Sequence, residues 1–228
     1  MREVPNFEQY AQGWSELHGG YEPGRSRVVD VYLRTVYVLA RPFARVSASP
    51  DLVTFIGLLI GVSVPFIGEA GSSGAWAVCA FIILASAVID GVDGAVAVLS
   101  AKASRWGNVA DSLVDRLVEV AVLVALQRSG APSWLCLAGG ILTASQEYAR
   151  ARAAGVGLTD ITVVTVSERP TRIIAAVLAF AVAAAQPSSS GFAFTAGAAA
   201  WAVLGFVGLL QMIVSVRRVL MQPESPDR

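Results

Sequence analysis

The chain is poor in charge, and what charge it has cancels. Charged residues make up 15% of 228, Lys+Arg and Asp+Glu stand at 17 each, and the formal net charge is zero. A soluble domain carries nearer ~25% charged residues, and an electrostatic nucleic-acid binder needs a basic excess. Both classes are excluded, as is a disordered chain, because 55% of the residues are hydrophobic. Histidine occurs once, at His18, and cysteine twice, at Cys79 and Cys136, each cysteine inside an apolar run. Zinc sites, histidine-based nucleophilic triads and a disulfide framework therefore lack their raw material. The cysteines read as small packing residues and His18 as a surface residue. No stretch alternates like a strand, no internal repeat is visible, and the opening residues are mixed in charge rather than basic and then apolar, so no signal peptide is expected.

What the chain has is apolar length. A helix rises ~1.5 Å per residue through a hydrocarbon core ~30 Å thick, so about 20 apolar residues cross it. Six stretches approach that length: 52–68, 75–99, 107–126, 132–153, 171–185 and 192–216. Pro50, Pro132 and Pro170 stand where helices begin, and Gly/Ser/Pro clusters fill three of the connections. The expected fold is all-α, an integral membrane protein of six transmembrane helices. Before the first span, 28–45 sets Val31, Val36, Val38, Leu39 and Phe43 among Arg34 and Arg41, the pattern of an interfacial amphipathic helix. Three regions are expected: an N-terminal segment 1–48, a catalytic membrane domain 49–220 and a polar tail 221–228. Basic residues (Arg2, Arg25, Arg27, Arg34, Arg41 and Arg45 before the first span; Lys102, Arg105, Arg150, Arg152, Arg169, Arg172, Arg217 and Arg218 later) fall on one side, with Arg128 the exception. That bias puts both termini in the cytoplasm. Trp76, Trp134 and Trp201 near span ends read as interface anchors.

Carboxylates interrupt this apolar text. Asp90 and Asp93 close the second span, and Asp111 and Asp115 open the third. Ionisable groups at membrane depth are costly and mark functional sites. Spacings of three and four put each pair on one face of its helix, and the short connection makes the helices antiparallel neighbours, so all four acids can converge. Two readings stay open: Lys102, Arg105 and Arg116 neutralise the acids in a salt-bridge cluster, or the all-oxygen set holds Mg²⁺, Mn²⁺ or Ca²⁺. Gly91, Gly94 and Gly107 strip side chains from the helix surface beside the acids, admitting a ligand or another helix.

The text Asp90-x-x-Asp93-Gly94-x-x-Ala97, then Gly107-x-x-x-Asp111-x-x-x-Asp115, resembles the signature of the CDP-alcohol phosphatidyltransferases: seven positions across 26 residues. The segment opening the first span, with Thr54, is similar as well. The family follows the Ala with Arg, where this chain has Val98, and two alternatives stay open: Arg105 or Lys102 substitutes for it, or activity is lost. The resemblance implies transfer of the phosphatidyl group from a CDP-linked lipid, CDP-diacylglycerol, to an alcohol, with release of CMP. It implies two ions of Mg²⁺ or Mn²⁺ held by Asp90, Asp93, Asp111 and Asp115, Asp115 also serving as general base. Thr54, Gly94, Ala97, Gly107, Asp90 and Asp93 would line the nucleotide site. It implies a homodimer among membrane lipids, no nucleic-acid partner, and an active site facing the cytoplasm.

Further along, Tyr148-Ala-Arg150-Ala-Arg152 and Glu168-Arg169-Pro170-Thr171-Arg172 look like the bacterial phosphatidylinositol-phosphate synthase branch. The resemblance implies that Arg150, Arg172 and Arg217 or Arg218 bind the phosphate of an acceptor such as inositol phosphate, work that suits bidentate guanidinium groups. Arginines at helix ends also serve topology and lipid headgroups. Glu119 reads as packing support or a partner of Arg116, and Glu147 as a partner of Arg150. Two rival functions remain: a non-catalytic nucleotide- or metal-binding regulatory relative altered at Val98, and a cation transporter using the four acids.

Overall fold

The computed structural model describes residues 4–17, 19–158 and 164–221. Arg2, His18 and all but the first residue of the polar tail lie outside the described residues. Among those described, every regular element is helical: α1 (Phe7–Leu17), α2 (Arg27–Arg45), α3 (Pro50–Gly68), α4 (Ser73–Leu99), α5 (Arg105–Arg128), α6 (Ser133–Gly155), α7 (Arg169–Ala185) and α8 (Ser190–Leu220), with single 3-10 turns at Pro23–Arg25 and Pro187–Ser189. The protein is all-α. Three segments, Pro50–Gly68, Ser73–Leu99 and Pro187–Leu220, are long and apolar enough to cross a membrane. The helix α5 carries charged side chains along its length, α6 carries Glu147, Arg150 and Arg152 toward its C-terminal end, and α7 has only 17 residues.

The chain divides into two compact units, Met1–Val62 with Leu84–Val118, and Ser63–Ile83 with Glu119–Arg228. The first unit contains α1, which the sequence reading did not anticipate. Its start is a reciprocal cap: Gln9 N–H donates to Asn6 Oδ1 and Asn6 N–H to Gln9 Oε1, both at 2.9 Å. From there Tyr10 stacks on Tyr37 at 5.6 Å between centroids, Phe7 meets Tyr37 edge-on, and the Tyr37 hydroxyl donates to the Pro5 carbonyl. Burial raises the Tyr10 hydroxyl above its ordinary pKa, with the neighbouring Tyr32 adding to the shift. Leu33, Val36, Tyr37, Ala40 and Ala44 recur at helical spacing on α2 and close the cluster against Val92, Ala95, Val96 and Leu99 of α4. Each buried Leu or Val there contributes about 1.5–3 kcal/mol relative to exposure. The opposite side of α2 leaves Val28, Val31, Val38 and Leu39 exposed.

Glycine sets how closely these helices approach. A Cβ on Gly91 would collide with the Tyr32 ring, whose Cζ would lie 2.9 Å away, and one on Gly61 would lie 2.8 Å from both Val118 methyls. Gly91 thus serves packing against α2. Val98 packs on the same apolar cluster, and its Cγ1 would lie 3.1 Å from a Cβ on Gly13 of α1.

In the second unit α8 is the central packing element for α6 and α7. Trp201, expected at an interface, is instead wholly buried: its ring lies over Gly139, and its N–H donates to the Thr143 hydroxyl at 3.0 Å. A buried indole with a satisfied donor is a core group. Trp76 is likewise buried, edge-on to Phe194, while Trp134 is 69% exposed. Cys79 and Cys136 are free and buried, as packing residues should be. Gly197 lets α7 and α8 touch; an added Cβ would lie 2.6 Å from Ala179 Cβ and 3.5 Å from the Ala175 carbonyl. Gly197→Leu is expected to cost about 1–3 kcal/mol through overpacking. It should lower the thermal unfolding midpoint in detergent, whereas Gly191→Ala, whose new Cβ meets nothing within 4 Å, should leave it unchanged.

Candidate active site

Two features of local sequence place the acids of the first unit. Residues 100–104 turn the chain between α4 and α5, with Ala101 at φ 51°. Ser104 then caps α5, its Oγ accepting the Gly107 N–H at 2.9 Å. One helical turn separates Asp111 from Asp115, so both lie on one face of α5. Their carboxylates meet that of Asp90 from α4: one oxygen from each of the three lies within 4.8 Å of the other two, and all three residues are partly buried. Asp93 is held apart by a different contact. It is 5% exposed, and its Oδ2 accepts the Thr54 hydroxyl at 2.6 Å. It remains close enough to Asp90 and Asp111 to feel their charges.

A small recess of about 70 Å³ opens beside the acids. Thr54, Asp93, Gly94, Ala97, Gly107 and Asp111 line it, together with Asp51, Lys102 and Asn108. The Cβ position of Gly94 is open space, so glycine here widens a cavity instead of seating a helix. Lys102 does not neutralise the acids. Its ammonium donates to the Ser47 and Ala48 carbonyls at 2.8 and 3.4 Å, tying the chain ahead of α3 to the end of α4. Arg116 approaches Asp115 at 3.9 Å, the long end of an ion pair.

The second unit holds a separate polar network. Arg172 is 0% exposed. Its Nε donates to Glu119 Oε1 at 2.8 Å, Nη2 lies in ion-pair contact 2.7 Å from the same oxygen and 3.6 Å from Glu147, and Nη1 donates to the Ser167 carbonyl. The sequence reading puts Arg172 on the acceptor's phosphate and gives Glu119 as packing support or a partner of Arg116. In the structure Arg172 and Glu119 pair with each other across 53 positions, and the Arg172 guanidinium is closed off from solvent. Arg150 is partly exposed and donates to Glu168 at 2.8 Å, with Glu147 at 3.8 Å. Burial alone would raise the Glu168 carboxyl, but hydrogen bonds from the Thr165 N–H, Arg150 and the Thr165 hydroxyl hold it below its ordinary value. Gln146, fully buried, donates to the Thr165 hydroxyl at 2.9 Å. Gln146, Thr165 and Ser167 were not foreseen; nothing in their local spacing signals a network. Arg217 and Arg218 are exposed at the end of α8.

Residues 47–217 match the family model for CDP-alcohol phosphatidyltransferase. The chain belongs to that family. It is accordingly a transferase of phospholipid biosynthesis, and its apolar helices agree with an integral membrane protein. The archaetidylinositol phosphate synthase of Pyrococcus horikoshii is 31% identical over 141 residues, covering 60% of this chain and 71% of the relative. The phosphatidylinositol phosphate synthase of Streptomyces avermitilis is 29% identical over 209 residues, 84% of this chain and 83% of the relative. Two crystal structures of the Mycobacterium tuberculosis phosphatidylinositol phosphate synthase share the fold. The one with CDP-DAG bound has a TM-score of 0.65 at 22% identity, covering 86% of this chain and 98% of that one. The one with manganese and citrate has a TM-score of 0.67 at 24% identity, covering 85% and 92%.

The ion pair within this phosphatidyltransferase makes a prediction of its own. Arg172→Ala removes one member of a buried ion pair, which costs about 3–5 kcal/mol. Thermal unfolding of the purified variant should show a large loss of stability, and the double variant Arg172→Leu with Glu119→Leu should recover most of it.

Proposed function

We propose that this phosphatidyltransferase moves the phosphatidyl group of CDP-diacylglycerol onto a hydroxyl of inositol phosphate and releases CMP. The observation that carries the reading is the meeting of Asp90, Asp111 and Asp115 within 4.8 Å, beside a recess lined by Gly94, Ala97 and Gly107. The donor is supported by the structural neighbour with CDP-DAG bound, and the acceptor by the relatives named archaetidylinositol phosphate and phosphatidylinositol phosphate synthase.

Three carboxylates facing one another in a partly buried setting repel unless they are protonated or share cations. An all-oxygen donor set fits a hard divalent ion and not zinc, and the family and a manganese-bound neighbour agree. Asp90, Asp111 and Asp115 hold Mg²⁺ or Mn²⁺ in this reading, with Asp93 completing a two-ion site. Such ions offset the charge of the diphosphate and make CMP a better leaving group. Asp115 accepts the proton of the acceptor hydroxyl as the new O–P bond forms and the P–O bond to CMP breaks. Thr54 fixes the rotamer of Asp93 through their hydrogen bond. Gly94, Ala97 and Gly107 leave room for the nucleotide, and Lys102 secures the rim where the family carries Arg in place of Val98. Arg150, with Arg217 or Arg218, receives the acceptor's phosphate. Arg172 serves from beneath, holding Glu147 near Arg150.

The helices α3–α8 are the six spans of a membrane domain over 49–220, followed by the polar tail. The N-terminal segment 1–48 lies at the cytoplasmic face with α2 along the headgroups, which accounts for the exposed Val28, Val31, Val38 and Leu39. The active site faces the cytoplasm, and the enzyme works as a homodimer.

Asp115→Asn is expected to lower CMP release from CDP-diacylglycerol by about 10²–10⁴-fold, while donor binding persists. EDTA should abolish turnover in the unaltered enzyme, and Mg²⁺ or Mn²⁺ should restore it. Undiminished release in the variant would remove Asp115 from the reaction.

A further inference from the structure

One oxygen in the second unit is crowded with donors. Glu168 Oε1 accepts from Arg150 Nη2 at 2.8 Å, from the Thr165 N–H at 2.9 Å and from the Thr165 hydroxyl at 2.9 Å. A plain surface ion pair engages a guanidinium alone and contributes little. Here a backbone amide and a hydroxyl converge with the guanidinium on the same point, a donor set that suits a phosphate oxygen. The hydroxyl is aimed: buried Gln146 donates its amide N–H to Thr165 Oγ1 at 2.9 Å, so the hydroxyl proton is left for Glu168. Glu168 is also the residue preceding the first turn of α7, yet its side chain makes no capping bond to that helix. It turns back to the donors instead. Both partners are within reach of solvent, Glu168 with 27% and Arg150 with 37% of the side chain exposed, whereas Arg172 next to them is sealed and neutralised by Glu119.

We propose that Glu168 is an internal competitor at the acceptor site, a carboxylate that occupies the anion-binding donors of Arg150 and Thr165 until a phosphorylated acceptor displaces it. This rests on the reading of Arg150 as part of the acceptor site. A phosphomonoester carries about −1.5 to −2 charges at pH 7 and three acceptor oxygens, so it outbids a single carboxylate for the same donors. A neutral polyol offers only hydroxyl oxygens, and hydrogen bonds to a charged acceptor are roughly twice as strong as those to a neutral one. The uncharged acceptor therefore fails to open the site. Once displaced, the Glu168 carboxylate has a place to go, because the N-terminal N–H groups of α7 attract negative charge.

The test uses the full-length enzyme in detergent with CDP-diacylglycerol, following CMP release with inositol phosphate and with inositol as acceptors, and inorganic phosphate as a competing anion. Glu168→Gln should raise kcat/KM for inositol phosphate about tenfold, because the competing carboxylate no longer occupies the donors. It should also strengthen inhibition by inorganic phosphate about tenfold, with the donor KM unchanged. Glu168→Asp keeps the charge at shorter reach and should fall between the Gln variant and the unaltered enzyme in both measures, which provides a second reading should Glu168→Gln fold poorly. Unchanged phosphate inhibition, or an unchanged kcat/KM for inositol phosphate, in both variants would overturn the proposal and leave Glu168 a loop tie. Arg150→Ala separates the two layers: if it leaves the KM for inositol phosphate unaltered, the acceptor site itself is misassigned.

Discussion

Like charges held together in a medium that dislikes any charge are the constraint from which the rest of this protein follows. Asp90, Asp111 and Asp115 bring carboxylate oxygens within 4.8 Å, and a chain with 15% charged residues has little cation to spare for them. Lys102 gives its ammonium to backbone carbonyls just ahead of α3, and Arg116 lies 3.9 Å from Asp115. An oxygen-only donor set favours hard divalent ions. The Thr54 hydroxyl on Asp93 is the complementary device. It satisfies the most deeply buried of the four acids with a neutral donor.

Where the acids sit is a consequence of packing with small residues. In an apolar solvent, helices gain little from hiding hydrophobic surface, so close van der Waals approach and polar contacts hold them. Gly61 against Val118 and Gly91 against Tyr32 bring α3, α4, α5 and α2 of the first unit close together, and Ser86 donates across to the Gly57 carbonyl. Val98 belongs to this system. Packed toward Gly13 of α1 and the Tyr10 cluster, it is part of the seat for the N-terminal helix. An Arg at that position would bury a guanidinium among apolar side chains. The departure from the family signature therefore coincides with packing against a helix that lies outside residues 47–217.

The sequence made the helical architecture legible because long apolar runs declare themselves: the six apolar stretches correspond to α3–α8 within a few residues, and three segments are long and apolar enough to cross a membrane. The acid cluster was legible for a related reason. Its members are close in sequence on two consecutive helices, so helical periodicity alone brings them to one place. Three of the four acids meet as that argument expects, and the fourth departs because of Thr54, a partner 39 positions away. The arginines show where the method fails. Arg150 and Arg172 look equivalent in the text, both basic residues near helix ends. Only the fold reveals that Arg172 is enclosed by Glu119 and Ser167 while Arg150 keeps an exposed edge. α1 was overlooked although Asn6-Phe7-Glu8-Gln9 carries a capping pattern, because its mixed polarity shows no long apolar run. Trp201 was misread as an anchor because nearness to a span end in sequence says nothing of which side of a helix faces its neighbours.

The contrast between the two arginines also bears on how a low-dielectric protein stores positive charge. A buried guanidinium needs its counter-charge at once, and Glu119 supplies it at 2.7 Å, with Glu147 behind. That pair can do little else, since separating it would expose two ions to a large desolvation penalty. Arg150 is treated differently. Its partner Glu168 is itself partly exposed and bound through a single oxygen to donors that also suit other anions. A pair near solvent is screened and costs little to open, so it can exchange partners, whereas the Arg172 pair cannot. The same residue type thus does two jobs on consecutive helices, and what separates them is access to water, which decides whether a charge is a fixed part of the scaffold or a site that can change its occupant.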